Sequence, residues 1–325
     1  MSWKTAIDAA METLVIPSFT KVGYSVRSRL FDWPPLAAYD LRHKTIVLSG
    51  ATSGLGLAAA RQLAALGANL VLVARDADKA GRLADELNRA HPATDASVET
   101  ADLSDLDQVR AACDRIRQRH ACIDILIHNA GALFNQRREA ADGTEASCQI
   151  MVVAPFLMTA LLLDRIKAAS PGRVITMSSG GMYTAPLTVN ELEMSEQDYS
   201  GPKQYARAKR AQVVLNEMWA ERIAARQAVF HALHPGWAKT PGITDALPGF
   251  SRIIGPLLRT PLQGADTLVW LAASPQAATG SGAFWLDRAV RPTHKLSSTR
   301  ASDTPENRQA LWNWCVERAG VDAPG

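Results

Sequence analysis

The stretch TIVLSGATSGLG, residues 45–56, decides how the rest of the chain is read. It begins with β-branched and aliphatic residues, the composition of a short buried strand. Glycines at 50, 54 and 56 follow, and GLAAARQLAALG (56–67) then reads as a helix. A strand, a glycine turn and a helix N-terminus in that order make a cradle for a pyrophosphate. Glycines let the backbone come close, and the helix N-terminus offers unpaired N–H groups and positive dipole. Alone, such a turn is equally a tight structural turn. The flanking strand and helix favour the nucleotide reading, with Gly50, Thr52, Ser53, Gly54, Leu55 and Gly56 as contacts.

Outward from this stretch, apolar runs alternate with helical periodicity. The runs are NLVLVAR (69–75), ASVETAD (96–102), IDILIHNAG (123–131), GRVITMSS (172–179), QAVFHALHPG (227–236) and SGAFWLD (281–287). Strands alternating with helices imply βαβ units and a parallel sheet with right-handed crossovers. The runs are apolar rather than alternating, which suits strands covered on both faces. The expectation is an α/β fold: one doubly wound Rossmann-type domain over residues 44–287, with a mostly parallel seven-stranded sheet flanked by helices. Residues 180–202 and the Pro/Gly-rich 235–262 break the rhythm after strand ends. They should lie over the carboxyl edge of the sheet, where such folds bind ligands. Residues 1–43 form a helical or extended leader, and 288–325 a tail in which PENRQALWNWCVERAG reads as a capped helix ending at Gly320.

The chain has 325 residues, 47% of them hydrophobic and 21% charged, enough apolar material for a large core. A net charge of +3 gives no reason to expect nucleic acid. Cysteines at 113, 122, 148 and 315 show no metal-ligand or disulfide spacing, so no metal and a reduced, cytoplasmic setting are expected. The most apolar run, MVVAPFLMTALLL, has 13 residues (151–163), too few to span a bilayer. Early charges at Lys4, Asp8 and Glu12 make the N-terminus a poor secretory signal. AIDAAMETLVI is weakly amphipathic and reads as a helix packed on the domain or a partner subunit rather than a peripheral membrane anchor.

The spacing Gly-x-x-x-Gly-x-Gly departs from the common Gly-x-Gly-x-x-Gly and resembles the fingerprint of the short-chain dehydrogenase/reductases. ADL (101–103), HNAG (128–131), VITMSS (174–179) and HPGWAKT (234–240) resemble further family motifs in the family's order. Several longer stretches, among them KRAQVVLNEMWA and HPGWAKTPGITDALPGF, resemble one branch shared by vertebrates and bacteria. The resemblance implies alcohol/carbonyl oxidoreduction with a nicotinamide dinucleotide. By the same resemblance Asp102 and Leu103 lie at the adenine, Asn129, Ala130 and Gly131 along the cofactor, and Pro235, Gly236 and Thr240 at the nicotinamide end. From the residues alone, Asp102 could instead cap a helix, and Asn129 could satisfy strand-end backbone. His128 and His234 read as structural. At the end of the second strand stand Ala74 and Arg75, where an NAD-selective site has an acid. An arginine can hold a 2′-phosphate, so NADP(H) is expected over NAD(H), unless Arg75 pairs with Asp76 or Asp78.

Tyr-x-x-x-Lys occurs twice in YSGPKQYARAK (199–209). Gly201 and Pro202 disrupt a helix through Tyr199 and Lys203, so these two need not share a face. Pro202 suits the first turn of a helix that begins there and carries Tyr205 and Lys209 on one face. Tyr205 is therefore the expected proton donor and Lys209 its electrostatic partner. The resemblance implies a serine that orients the substrate oxygen, and Ser179, followed by small residues, fits it better than Ser178, whose side chain should point the other way. Met151 stands where the family carries an asparagine that holds a relay water. This raises a second reading, a dinucleotide-binding protein with weakened or lost turnover. Trp237, Leu247 and Phe250 suggest an apolar lid and a lipophilic small-molecule substrate. Family members often pair through the helices at 151–163 and 205–226, so a homodimer or homotetramer is expected.

Overall fold

The structure, a computed structural model, describes residues 3–239 and 254–322. Eight strands form one sheet in the order β3-β2-β1-β4-β5-β6-β7-β8. They are β1 (Thr45–Ser49), β2 (Asn69–Ala74), β3 (Ala96–Thr100), β4 (Ile125–His128), β5 (Gly172–Met177), β6 (Ala228–Leu233), β7 (Ala283–Leu286) and β8 (Ala289–Val290). The first seven run parallel, and β8 pairs antiparallel with β7. The order reverses between β1 and β4. This is a doubly wound sheet with its switch point at the glycine turn.

Alternate residues of each strand feed opposite faces. In β1, Val47 joins one core cluster while Ile46 and Leu48 join the other. On one side lie α4 (Gly54–Ala65), α5 (Ala77–Ala90) and α9 (Pro261–Ala273), whose Leu63, Leu83 and Leu268 share that second cluster. On the other lie α6 (Leu106–Arg119), α7 (Ala146–Lys167) and α8 (Gly201–Arg222). A buried aromatic cluster of Phe156, Trp219 and Trp312 ties α10 (Pro305–Ala319) to that second layer. Helix α10 ends at Gly320 with φ 55, the left-handed cap that glycine adopts without strain.

Two expectations need correction. The sheet has eight strands, not seven, because the chain doubles back after β7 through Asp287 and Arg288, both at positive φ (56° and 54°). That pair of left-handed residues makes the turn that suits a tight hairpin. The apolar segment is also longer than the 13-residue run. Helix α7 has 22 residues and by length and composition could cross a membrane, but 83% of its apolar window is buried inside the fold. It is a core helix, and its N-terminal turns carry buried Ser147 and Gln149 into an otherwise apolar surface.

The leader forms α1 (Trp3–Thr13), α2 (Val15–Phe19) and α3 (Lys21–Leu30). Its anchor is electrostatic. Arg27, with no exposed surface, donates to Asp8 (2.7 Å), Glu12 (2.9 Å) and Asp287 (2.8 Å), and Arg291 reaches Asp8 at 2.7 Å. Buried charges persist only when paired in this way.

Candidate active site

The glycine turn leaves β1 and enters α4 at the switch point. A Cβ at Gly56 would lie 2.0 Å from the Gly50 carbonyl oxygen, so only glycine fits this approach. Asn129 fixes the turn from the end of β4: its amide donates to the Ser49 and Gly50 carbonyls at 3.2 and 3.0 Å. The Asn129 side chain is thus a brace, as the backbone-satisfying alternative had it, and Ala130 and Gly131 carry the β4 end forward. Ser53 gives α4 no side-chain cap, which leaves the N–H groups of its first turn for an anion. Thr52, Gly54 and Leu55 are partly exposed around that turn.

Arg75 is exposed at the end of β2 and has no ion-pair partner among the described residues. Asp76 is turned away to cap α5, accepting from Lys79 N at 2.9 Å. Asp102 is not a helix cap: Asp105 caps α6, while Asp102 accepts from the Ser104 N–H and hydroxyl at 2.9 and 2.7 Å. The Leu103 side chain is in the core, so its backbone alone faces the edge of the sheet. Pro235 and Gly236 follow β6. Gly236 sits at φ +74, and a Cβ there would lie 2.2 Å from Arg259 Nε. Thr240, Leu247 and Phe250 lie outside the described residues. Trp237 is not an open lid residue, because its ring packs edge-on against Phe19 at 5.7 Å.

Helix α8 begins at Gly201 with Pro202 in its first turn, and Tyr205 and Lys209 project from one face. The Ser179 hydroxyl lies near enough to the Tyr205 phenol to favour its ionised form, and Lys209 Nζ lies 5.3 Å from the Tyr205 ring centroid. Ser178 is buried and donates to the Lys209 carbonyl at 3.0 Å, which leaves Ser179 as the serine facing the phenol. Tyr199 is elsewhere, donating to Glu145 at 3.0 Å, and Lys203 is exposed. A Cβ at Gly131 would sit 3.7 Å from Lys209 Nζ and 3.6 Å from Met151 Sδ. One continuous surface therefore runs from the glycine turn through residues 129–131 to the Tyr205–Lys209–Ser179 group. An uncapped helix start, a cradle a side chain would fill and an unpaired arginine all fit a dinucleotide there.

Burial raises the Tyr205 phenol to about 12 against the opposing influence of the Ser179 hydroxyl, and burial lowers Lys209 from 10.5 to about 7. The lysine shift has a stability consequence. Between pH 7 and 9 the unfolded chain binds a proton at Lys209 that the folded chain gives up, so folding is favoured as pH rises. Denaturant unfolding at pH 7, 8 and 9 should show about 1.4 kcal/mol per pH unit of stability gain from this group. In Lys209→Met that part of the slope should vanish.

The site also rests on residues to which no chemistry was assigned, among them the two motif histidines read as structural, His234 and His128. His234 Nδ1 accepts from Gly180 N at 3.0 Å, linking the serine loop to the Pro235 loop, and burial lowers its pKa to about 3. Phe19 of the leader packs against His234 at 4.4 Å, and its carbonyl accepts from Trp237 N at 2.6 Å. Arg259 bridges the carbonyls of Ser18, Phe19, Thr20 and Pro235 to Asp287. His128 is neutral and buried, 2.9 Å from the Thr159 hydroxyl. The advance signal for the leader's part was the weakly amphipathic AIDAAMETLVI, read as a helix packed on the domain or a partner subunit.

The sequence profile of the short chain dehydrogenases matches residues 44–247. Human dehydrogenase/reductase SDR family member 12 is 35% identical over 90% of this chain and 91% of its own length. Mouse retinol dehydrogenase 14 is 33% identical over 75% of this chain and 78% of its own length. A crystal structure of an uncharacterized Mycobacterium paratuberculosis protein superposes with a TM-score of 0.71 at 24% identity, covering 90% of this chain and 99% of that one.

Proposed function

Since the chain belongs to the short-chain dehydrogenase family, whose members are oxidoreductases that bind nicotinamide dinucleotides, we propose that it is an NADP(H)-dependent enzyme interconverting an alcohol and a carbonyl. The observation that carries this reading is the Tyr205 phenol, beside Ser179 and one helical turn from the buried Lys209, whose Nζ lies 5.3 Å from its ring. The bound dinucleotide supplies or accepts the hydride. In reduction, Ser179 donates to the substrate oxygen and holds it beside Tyr205, and the phenol transfers its proton to that oxygen as charge develops. The Lys209 ammonium stabilises the tyrosinate that forms. Lipophilic substrates are favoured by the similarity to a retinol dehydrogenase. A cytoplasmic homodimer or homotetramer completes the proposal.

Arg75 supports NADP(H) over NAD(H): it has no ion-pair partner among the described residues, and the neighbouring Asp76 is engaged in capping α5. The expected result is that Arg75→Ala weakens NADPH binding about tenfold or more, as befits a lost charge-assisted contact, and leaves NADH binding unchanged. Fluorescence titration with both cofactors reads this directly. Equal losses for both would remove the NADP(H) preference.

Met151 favours one second reading, a cofactor-binding protein that does not turn over, because its fully buried thioether occupies the relay position beside Gly131. NADPH oxidation against a panel of lipophilic aldehydes and ketones separates the two. Binding without turnover, unaffected by Tyr205→Phe, would decide for the binder.

A further inference from the structure

We propose that Gln212 is the positioning residue for Lys209, standing in for the polar side chain that position 151 does not provide. Gln212 lies three residues after Lys209 on α8, the spacing that places two side chains on one helix face. Lys209 Nζ donates to Gln212 Oε1 at 3.0 Å and to the Met177 carbonyl at 2.7 Å. Gln212 Nε2 donates in turn to the Met151 carbonyl at 2.7 Å. Met151, Lys209 and Gln212 are 0%, 2% and 4% exposed.

The amide orientation is dictated by its neighbours. Reversed, it would set an NH2 against an ammonium and an oxygen against a carbonyl oxygen. The Met151 carbonyl is free to accept for a covalent reason. Its partner in a regular helix would be the N–H of residue 155, which is proline and has none. The chain passes this point in a π-turn, Gln149–Val153. A carbonyl without its helical donor on α7 and a buried ammonium on α8 are thus joined by one side chain that satisfies both.

This link does specific work for the proposed reaction, on which the inference rests. Among the described residues no carboxylate lies within ion-pair distance of Lys209. Tyr205 faces it from its own helix, and His128 of β4, which lines the same 30 Å³ cavity as Gln212, is kept neutral by burial. The ammonium is therefore stabilised by two neutral acceptors, the Met177 carbonyl and Gln212 Oε1. They hold Nζ beside Gly131, 3.7 Å from where a Cβ at that glycine would sit. An amide with both ends committed is a poor proton conductor, so Gln212 holds Lys209 charged and in place rather than passing protons onward.

The test compares Gln212→Leu with the isosteric Gln212→Glu in the full-length protein. Leucine removes the acceptor, so the Lys209 pKa should fall by about one unit or more, the worth of a hydrogen bond to a charged group. Glutamate supplies a negative partner, so the same pKa should rise. The ammonium titration is followed by NMR of [15N]lysine-labelled protein, with Lys209→Arg assigning the resonance. The pH limb of NADPH oxidation with 9,10-phenanthrenequinone should move in the same opposite directions, and NADPH affinity should fall in the leucine variant. Opposite shifts are a signature that loss of packing alone does not produce. Variants that titrate alongside the parent protein overturn the inference, whatever their melting temperatures. The NMR readout needs no turnover, so it stands even if the parent protein oxidises no NADPH, a result that would count against the proposed reaction alone.

Discussion

Tyr205→Phe is expected to fold, to bind cofactor normally and to reduce carbonyls about 10³-fold more slowly, the middle of the range for loss of a positioned general acid. The substitution removes one hydroxyl and keeps the ring, which packs against the α7–α8 core. The hydroxyl's partner, Ser179, retains its contact with Gly181 N at 3.3 Å, so no buried group is stranded. The loss should therefore fall on kcat, with little change in NADPH affinity. The pH dependence of the parent enzyme carries a second signature. With the phenol raised to about 12, Tyr205 is protonated throughout the neutral range and available to donate. Lys209, lowered to about 7, sets the limb instead: reduction should be fastest below pH 7 and decline as the ammonium is lost above it. Oxidation needs the tyrosinate and should rise with pH. A Tyr205→Phe variant that reduces as fast as the parent would sink the proton-donor assignment.

How far the residues announced this arrangement depended on the range of the interactions involved. The parallel strands were readable because each is a local apolar run, and the order of motifs placed the switch point. The choice between the two tyrosine–lysine pairs was local as well: Gly201 and Pro202 start a helix rather than continue one, and Tyr199 indeed falls before it. The failures were non-local or chemically atypical. Asp287 and Arg288 adopt left-handed conformations without the Gly or Asn that would advertise a hairpin, and long-range ion pairs hold Asp287 there. For Asp102, read as lying at the adenine or else capping a helix, the structure removes the second alternative, since Asp105 caps α6. The leader's role was hidden because Arg27 finds Asp287 260 residues away. Gln212 read as part of a good helix, since nothing local reveals that its amide faces a lysine and a carbonyl freed by a distant proline.

Asp287→Ala should cost about 3–5 kcal/mol, the range for stranding a buried charge by deleting its partner. Asp287 is fully buried and accepts from Arg259 Nη1 and Nη2 at 2.6 and 2.9 Å and from Arg27 Nη1 at 2.8 Å. Arg27 would keep Asp8 and Glu12, but Arg259 would be left with backbone carbonyls alone. Alanine is also strained at φ 56. Asp287→Asn separates these effects: it keeps an acceptor and tolerates the left-handed backbone while removing the charge. The loss should resist added salt, because a buried pair is screened far less than a surface one. It should also depend on pH. Burial pushes the Asp287 carboxyl up, but the two guanidiniums outweigh burial and hold it below the ordinary 3.8. Its contribution is thus complete above about pH 4 and is lost as pH falls through the lower folded value. Equilibrium denaturation at pH 7 and in acid measures both, and the gap between parent and Asp287→Ala should narrow in acid. Because Arg259 joins this carboxylate to the Pro235 carbonyl and to the leader, the same variant should weaken NADPH binding without touching Tyr205, Lys209 or Ser179. Equal stability of the two proteins at pH 7 would mean that the leader is held by its apolar contacts and that the buried charges merely balance their own desolvation.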